Sequence, residues 1–349
     1  MSSPARLPGT DYCREGSDSF TPTVAAGNLR VGILSNPLSG GNRRGLPAIR
    51  NLLRQQPQIS HWEVENPAAI GSALKVFSQQ GINLVVVNGG DGTISAVLTA
   101  LLNQGPFSRL PLLAVLRAGT TSMTAGDVGL PGSAKKALTN LLTWTNRNEA
   151  RATVITRPIL RVAGGGDSLY GMFFGAAGIP QGISFFHRRV NRLGITGELG
   201  PGLVFARFLL AMRQKNRPVI MPTAMQVVID GNPPGKEQFF LLMVSTLERL
   251  FFGLRPFWGS EDRPLHYTAV RSQPERFFRL LPHLARGHNH PLGTPENGYY
   301  SHNCTNVELT FNGPFTLDGQ LYDTGSRQPL IVADGGLVHF LQLRPHGRH

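Results

Sequence analysis

The chain is short of cysteine, of charge and of long apolar runs, and each shortage removes a class of protein. Its 349 residues contain two cysteines, Cys13 and Cys304, far apart, which argues against a disulfide framework and against a cysteine-built zinc site. No apolar run approaches the ~18–20 residues that span a bilayer, and the N-terminus lacks a charged-then-apolar secretory pattern. The expectation is a soluble protein of a reducing, cytoplasmic compartment. Charged residues make up 16% and apolar residues 41%, a globular composition rather than a solvated coil. Acids are the scarcer sign: 21 Asp and Glu against 34 Lys and Arg leave a net charge of +13. The expected partner surface is therefore anionic, whether nucleotide, nucleic acid or acidic lipid headgroup.

What is abundant is Gly (41) and Pro (26), which favours turns and strand connections over a helical bundle. A prior of roughly 150 residues per domain gives two domains. Residues 1–28, rich in Ser, Pro, Thr and Gly, read as a flexible tail. From Leu29 to about residue 150, short apolar strands alternate with helical patterns. The strands are Leu29–Leu34, His61–Val64, Leu84–Val87 and Leu112–Leu116; the helices lie near 47–55, 68–79, 94–102 and 133–145. That alternation predicts an α/β domain built on a parallel sheet. From 151 to 349, strand patterns at 152–162, 169–174, 224–229, 239–244, 265–270, 306–311 and 330–333 predict a mostly antiparallel β-sandwich-like domain. Helices near 184–192 and 203–215 interrupt it.

The strongest chemical signal is Val87-Asn88-Gly89-Gly90-Asp91-Gly92-Thr93 at a strand-to-helix junction. Glycines let backbone approach a ligand, and the helix start adds free N–H groups and a dipole suited to phosphate. Asp91 beside a phosphate needs a divalent cation or a substrate hydroxyl between them, which points to phosphoryl transfer. The plainer alternative is a tight turn with Asp91 capping its own helix. Two more loops end neighbouring strands: Asn36-Pro37-Leu38-Ser39-Gly40-Gly41, followed by Arg43 and Arg44, and Gly119-Thr120-Thr121-Ser122. Ligands of open α/β sheets bind outside the carboxyl ends of the strands, where all three loops would lie.

These motifs, with Asp318-Gly319-Gln320 late in the chain, resemble the diacylglycerol/sphingosine lipid kinases: an early Asn-Pro-x-Ser-Gly, a central Gly-Gly-Asp-Gly-Thr, a Gly-Thr after the next strand and a late Asp-Gly-Glu. The resemblance runs from about Leu29 to the C-terminus, better in the first domain than the second. It implies an ATP-binding domain of the NAD kinase and phosphofructokinase kind at 29–150 and a lipid-substrate domain at 151–349. It also implies ATP contacts at Asn36, Pro37, Leu38, Ser39, Gly40, Gly89, Gly90, Gly92, Thr93, Gly119 and Thr120. Asp91 would position Mg²⁺–ATP or act as base, and Asp318 is the other catalytic acid. The family's glutamate is replaced by Gln320, which cannot accept a proton at neutral pH. Ser122 stands where the family usually has Asn, and Glu65 or Asn66 where it often has a nucleotide-contacting Thr. A stretch that holds a second Mg²⁺ in bacterial members aligns loosely with Asp262–His266, making Asp262 a candidate metal ligand.

Weaker features each have an ordinary counterpart. Phe185, Phe186, His187, Arg188, Arg189 and Arg192, with Phe205, Arg207, Arg213, Lys215 and Arg217, could rest on an anionic bilayer or form a solvated helix face. Phe239–Val244, Leu250-Phe251-Phe252 and Phe257-Trp258 could line an acyl-chain pocket or fill a sandwich core. His283, His288 and His290 lack carboxylates at ligand spacing and read as an exposed loop.

The resulting expectation is an ATP- and Mg²⁺-dependent lipid kinase at an anionic membrane surface, converting diacylglycerol to phosphatidic acid in phospholipid biosynthesis. Ceramide or a sphingoid base is the runner-up substrate. No nucleic-acid partner and no transmembrane segment are expected, and a homodimer is left open. The rivals are a nucleotide- or lipid-binding pseudokinase, motivated by Gln320 and Ser122, and an NAD kinase or phosphofructokinase. The aromatic second domain and the Asn-Pro-x-Ser-Gly turn argue against the last two.

Overall fold

The structure, a computed structural model, describes residues 10–13, 21–119, 122–147, 151–164, 166–184, 221–232, 235–325 and 329–343. The basic segment at 185–217, with both helices expected there, lies outside the described residues, as does Thr120. By compactness the chain divides into two units, one of residues 1–93, 104–157 and 337–349, the other of 94–103 and 158–336. The division thus falls seven residues after the expected 150/151 boundary. The last thirteen residues group with the first unit, not the second.

The first unit begins before residue 29. Strand β1 (Thr10–Cys13) pairs antiparallel with β2 (Thr21–Ala25), and β2 pairs with β7 (Arg151–Ala163). Val24 and Ala26 are buried, so the end of the segment read as a tail carries core residues. The parallel part is β3 (Val31–Ser35), β4 (Ser60–Glu63), β5 (Leu84–Gly89) and β6 (Leu112–Arg117). Its order is β4-β3-β5-β6, all neighbours parallel. The far end of β17 (Leu330–Gln342) joins β6 in parallel through Phe340 and Leu113. Every residue of β5 is buried, as a strand covered on both faces requires.

Alternation along these strands sends side chains to two helical layers. Ile33, Leu84, Val86, Ala114 and Leu116 pack with α1 (Asn42–Leu53) and α5 (Ala134–Thr145) through Leu46, Ile49, Leu138 and Leu141. On the other face Gly32 leaves room for Phe77 of α2 (Pro67–Gln79): a Cβ there would lie 2.8 Å from its ring. Helix α2 starts on Asn66, whose Oδ1 accepts from Ala69 N at 2.9 Å, so this position is an N-cap. Helix α3 (Asp91–Gln104) follows β5, and the short α4 (Met123–Asp127) follows the third loop.

The second unit is antiparallel. The expected strand at 169–174 is two, β8 (Leu169–Gly171) and β9 (Phe173–Ala177), broken at Met172. Strand β10 (Thr223–Ile229) pairs with the first half of β11 (Gly235–Ser245), and β9 with its second half. On the other edge of β11 come β12 (Leu265–Arg271) and β13 (Tyr299–Cys304). Strand β9 continues to β15 (Pro314–Leu317) and β16 (Gln320–Asp323), while β10 continues through β14 (Asn306–Thr310) to β17. The two sheets share β11 and enclose one core that includes Phe174, Val244, Tyr267, Leu309 and Phe315. Phe239 and Cys304 belong to that core, and burial pushes the Cys304 thiol up to about 12, which leaves it protonated and inert. The stretch read as a histidine-bearing loop starts as helix α6 (Phe277–Leu284), which includes His283. No helix among the described residues is long and apolar enough to cross a membrane.

Candidate active site

Strands β3, β5 and β6 run side by side, so their carboxyl ends deliver three loops to one edge of the sheet. Hydrogen bonds knit these loops together. Asn36 donates its backbone N–H to Asn88 O at 3.0 Å. Its Oδ1 accepts from Leu38 N at 2.9 Å, an Asx turn, and its Nδ2 donates to Thr93 Oγ1 at 2.9 Å. Ser39 Oγ accepts from Gly90 N at 3.2 Å, and Gly41 N donates to Ala118 O at 2.9 Å. Asn42, buried at the start of α1, donates Nδ2 to the carbonyls of Asn36 and Asn88 at 2.8 and 2.9 Å. Sequence reasoning missed Asn42; its signal was an amide on the first turn of an otherwise apolar helix face.

The glycines are required by close approach. A Cβ on Gly119 would lie 2.8 Å from Gly90 Cα, and one on Gly89 would lie 2.6 Å from Thr93 Cβ. Pro37 and Gly92 are half-buried, whereas Leu38 and Gly40 are exposed, as are Arg43 and Arg44 on the first turn of α1. Below the first loop, Ser35 Oγ accepts from Asn88 Nδ2 at 3.1 Å and meets His61 Nε2 at 2.9 Å. Burial lowers the pKa of His61, which favours the neutral ring at this site. Asn88 Oδ1 and Thr124 Oγ1 are buried without a hydrogen-bond partner.

Asp91 is 5% exposed and does not cap its own helix, whose N-cap is Gly90. Its carboxylate reaches instead to α4: Oδ2 accepts from Met123 N at 3.0 Å and Oδ1 from Thr124 N at 2.9 Å. The helix start left its four amides needing acceptors, and Asp91 supplies two. Ser122, just before α4, has φ +44°, and its Oγ donates to Gly119 O at 3.0 Å. Asn adopts that left-handed conformation more readily than Ser, which gives a backbone reason for the usual family residue at this position.

In the second unit Asp318 and Gly319 form the two-residue turn between β15 and β16, with φ of +48° and +83° as a type I′ hairpin requires. Asp318 is 3% exposed; its Oδ2 accepts from Met172 N at 3.0 Å and its Oδ1 from Phe173 N at 2.9 Å. A Cβ on Gly171 would collide with Asp318 Oδ2. The break at Met172 is fixed on its other side too, because its carbonyl accepts from Ser245 Oγ at 2.9 Å and Thr246 N at 3.0 Å. Gln320 is exposed on β16. Asp262 is exposed, and no group of three or more His, Cys, Asp and Glu side chains gathers among the described residues. Its neighbour Glu261 is engaged: the carboxylate takes His302 Nδ1 at 2.9 Å and Asn303 N at 2.8 Å. Burial raises the pKa of Glu261, but these hydrogen bonds outweigh it and hold the group down at about 2.

The loop set fits a polyphosphate. Two helices of ordinary length, α1 and α3, begin at the crossed loops, glycine keeps the backbone accessible, and two exposed arginines flank it. The donor set does not fit a cation held by protein ligands alone. A Mg²⁺ with one or two carboxylates plus substrate phosphates is the arrangement it allows.

Residues 30–154 match the family model of the diacylglycerol kinase catalytic domain. The chain is 34% identical over 110 residues to the protein named Probable lipid kinase YegS-like of Enterobacter sp. (strain 638), covering 30% of this chain and 35% of that one. It is 36% identical over 91 residues to the lipid kinase YegS of Escherichia coli (strain K12), covering 25% of this chain and 29% of that one. The matched stretch thus spans about a third of these relatives' own length. A crystal structure of a diacylglycerol kinase from Bacillus anthracis str. Sterne superposes with a TM-score of 0.56 at 15% identity, covering 89% of this chain and 96% of that one. Another structure from that organism gives 0.61 at 16% identity, with the same coverage. These structural likenesses carry the fold across both units, while the family model matches residues 30–154. It is residues 30–154, with their glycine-bearing loops at the ends of β3, β5 and β6, that resemble the diacylglycerol kinase catalytic domain.

Proposed function

We propose that this protein is an ATP-dependent lipid kinase that phosphorylates diacylglycerol to phosphatidic acid. The observation that supports it best is the cross-linking of three loops at one sheet edge, Asn36 to Thr93, Ser39 to Gly90 and Gly41 to Ala118. In this reading Asn36, Pro37, Leu38, Ser39 and Gly40 with Gly89, Gly90, Gly92, Thr93, Gly119 and Thr120 hold ATP. Arg43 and Arg44 face its charge. A lipid hydroxyl attacks the γ-phosphorus in line, the bond to the β-phosphate oxygen breaks, ADP leaves and the hydroxyl proton passes to a carboxylate. Mg²⁺, when bound with the nucleotide, spreads the negative charge of the transferred group.

Asp91 and Asp318 are the proposed carboxylates. A carboxylate oxygen can accept a proton or a hydrogen bond from a metal-bound water as well as from a backbone amide. The paired amides fix how each carboxylate is oriented. Gln320 then need not take part, because the proton acceptor role falls to an aspartate. Ceramide or a sphingoid base is the second reading, since each also offers a primary hydroxyl.

The test is transfer of label from γ-labelled ATP with Mg²⁺ to separate micelles of diacylglycerol, ceramide and sphingosine. The proposal expects labelled phosphatidic acid, lost in Asp91→Asn and Asp318→Asn. Label in ceramide or sphingosine alone replaces the substrate. ATP binding with no label in any lipid contradicts the kinase reading and favours the pseudokinase.

A further inference from the structure

The link between β11 and β12 holds an aromatic side chain out to solvent at a backbone cost. Phe252 has φ +56°, ψ +19° and is 59% exposed. A bulky residue in the left-handed region costs about 1–2 kcal/mol. The turn that imposes it is tight: Leu250 N donates to Leu254 O at 2.8 Å and Gly253 N to Leu250 O at 3.1 Å. Apart from Phe251, whose ring meets it edge-on at 5.7 Å, no aromatic partner shelters Phe252 among the described residues. Among the described residues, nothing in the packing of the unit explains an aromatic at this tip.

The turn is fastened to α6. Arg255 N donates to Ala285 O at 2.9 Å, and Gly287 lies so close to the carbonyls of Arg255 and Phe257 that a Cβ would be 2.7 Å from each. Helix α6 buries Phe277, Leu280 and Leu284. Its opposite arc exposes Phe278 (47%), Arg279, Pro282 and His283, with Arg286 just beyond. Residues 249–260 and 276–290 contain five arginines and no Asp or Glu. Among the described residues none of the five is in an ion pair. Exposed Glu248, Glu261 and Glu275 lie at the ends of these segments, and the phenylalanines protrude among the arginines between them, a match to an interface of acyl chains under anionic headgroups.

We propose that the 249–255 turn and the outer arc of α6 form a docking surface for an anionic phospholipid bilayer, with Phe252 and Phe278 entering the headgroup layer. The choice of a bilayer among anionic partners rests on the lipid-kinase reading, but binding needs neither nucleotide nor transfer.

The experiment is sedimentation with phosphatidylcholine vesicles and with vesicles containing added phosphatidylglycerol, without ATP. The protein binds the second and not the first. Arg279→Gln with Arg286→Gln weakens binding roughly 25-fold, about fivefold for each arginine near the surface. Phe252→Gly weakens it roughly tenfold while the thermal midpoint holds or rises, because glycine suits that backbone and the lost ring was exposed. Unchanged vesicle affinity in the arginine pair overturns the proposal, since attachment then lies elsewhere. A lower midpoint with unchanged binding in Phe252→Gly overturns it too, because Phe252 would then be a packing residue. Label transfer to dispersed short-chain diacylglycerol, measured alongside, tests the kinase reading independently of docking.

Discussion

Asn36 Nδ2 donates to Thr93 Oγ1 across 2.9 Å, tying the loop after β3 to the first turn of α3, 57 residues away in sequence. Thr93→Val keeps the shape and removes the acceptor. The expected cost is about 1–2 kcal/mol of stability, from a part-buried amide left without its partner. ATP affinity should fall at the same time, because the loop loses its register. Isothermal titration with ATP and a thermal melt check both; unchanged affinity would detach this bond from nucleotide binding.

Asp91 and Asp318 share an arrangement: each carboxylate accepts two successive backbone amides, from Met123 and Thr124 or from Met172 and Phe173. Substitution by Asn turns one acceptor into a donor facing an N–H. Each variant should lose about 1–3 kcal/mol, so an activity loss in either must be read beside its melting curve. Guanidinium chloride unfolding gives the number, and a variant as stable as the parent would show that the amides are dispensable.

Gly119→Ala puts a Cβ against the backbone of Gly90, and neither strand end can retreat without moving its loop. Gly45→Ala, inside α1 with nothing within 4 Å, is the control. The first should lower stability and abolish nucleotide binding. The second should raise stability by up to about 1 kcal/mol and leave binding alone.

Burial lowers the pKa of both His61 and His339. The unfolded chain therefore binds protons that the folded state refuses, so stability is full above about pH 6.5 and declines as pH falls through that value. His61 faces Ser35 Oγ, Glu63 and Arg50, and His339 faces Thr156 Oγ1. Melting points between pH 5 and 8 should show this decline, and His61→Gln should flatten it. An equally steep decline in the variant assigns the protons to other groups.

Much of the first unit was legible because its signals are local. Continuous apolar runs such as Leu84–Val87 read as buried strands, and glycine-rich strings at their ends read as loops. The contents of those loops were harder. Helix α4 was invisible because its start is capped by Asp91, more than thirty residues earlier, and not by a neighbour. The Asp318-Gly319 pair was read for chemistry alone, although Asp-Gly between short strands is a hairpin signal in its own right. The second half of β17 was missed because Asp334-Gly335-Gly336 looks like a turn. There, Gly335 lets the strand lie flush on residues 159–161, and a Cβ would come within 3.1 Å of their backbone. Strand β13 hid behind Ser301, His302 and Asn303, polar residues whose partners lie on another segment.

The most direct test of the central claim, that three loops form one nucleotide site, is amide hydrogen exchange with and without ATP and Mg²⁺. The account predicts slower exchange in peptides covering 36–44, 89–95 and 117–124, together and with one ATP dependence. Protection of only one of these segments, or protection elsewhere with these three unchanged, would contradict it.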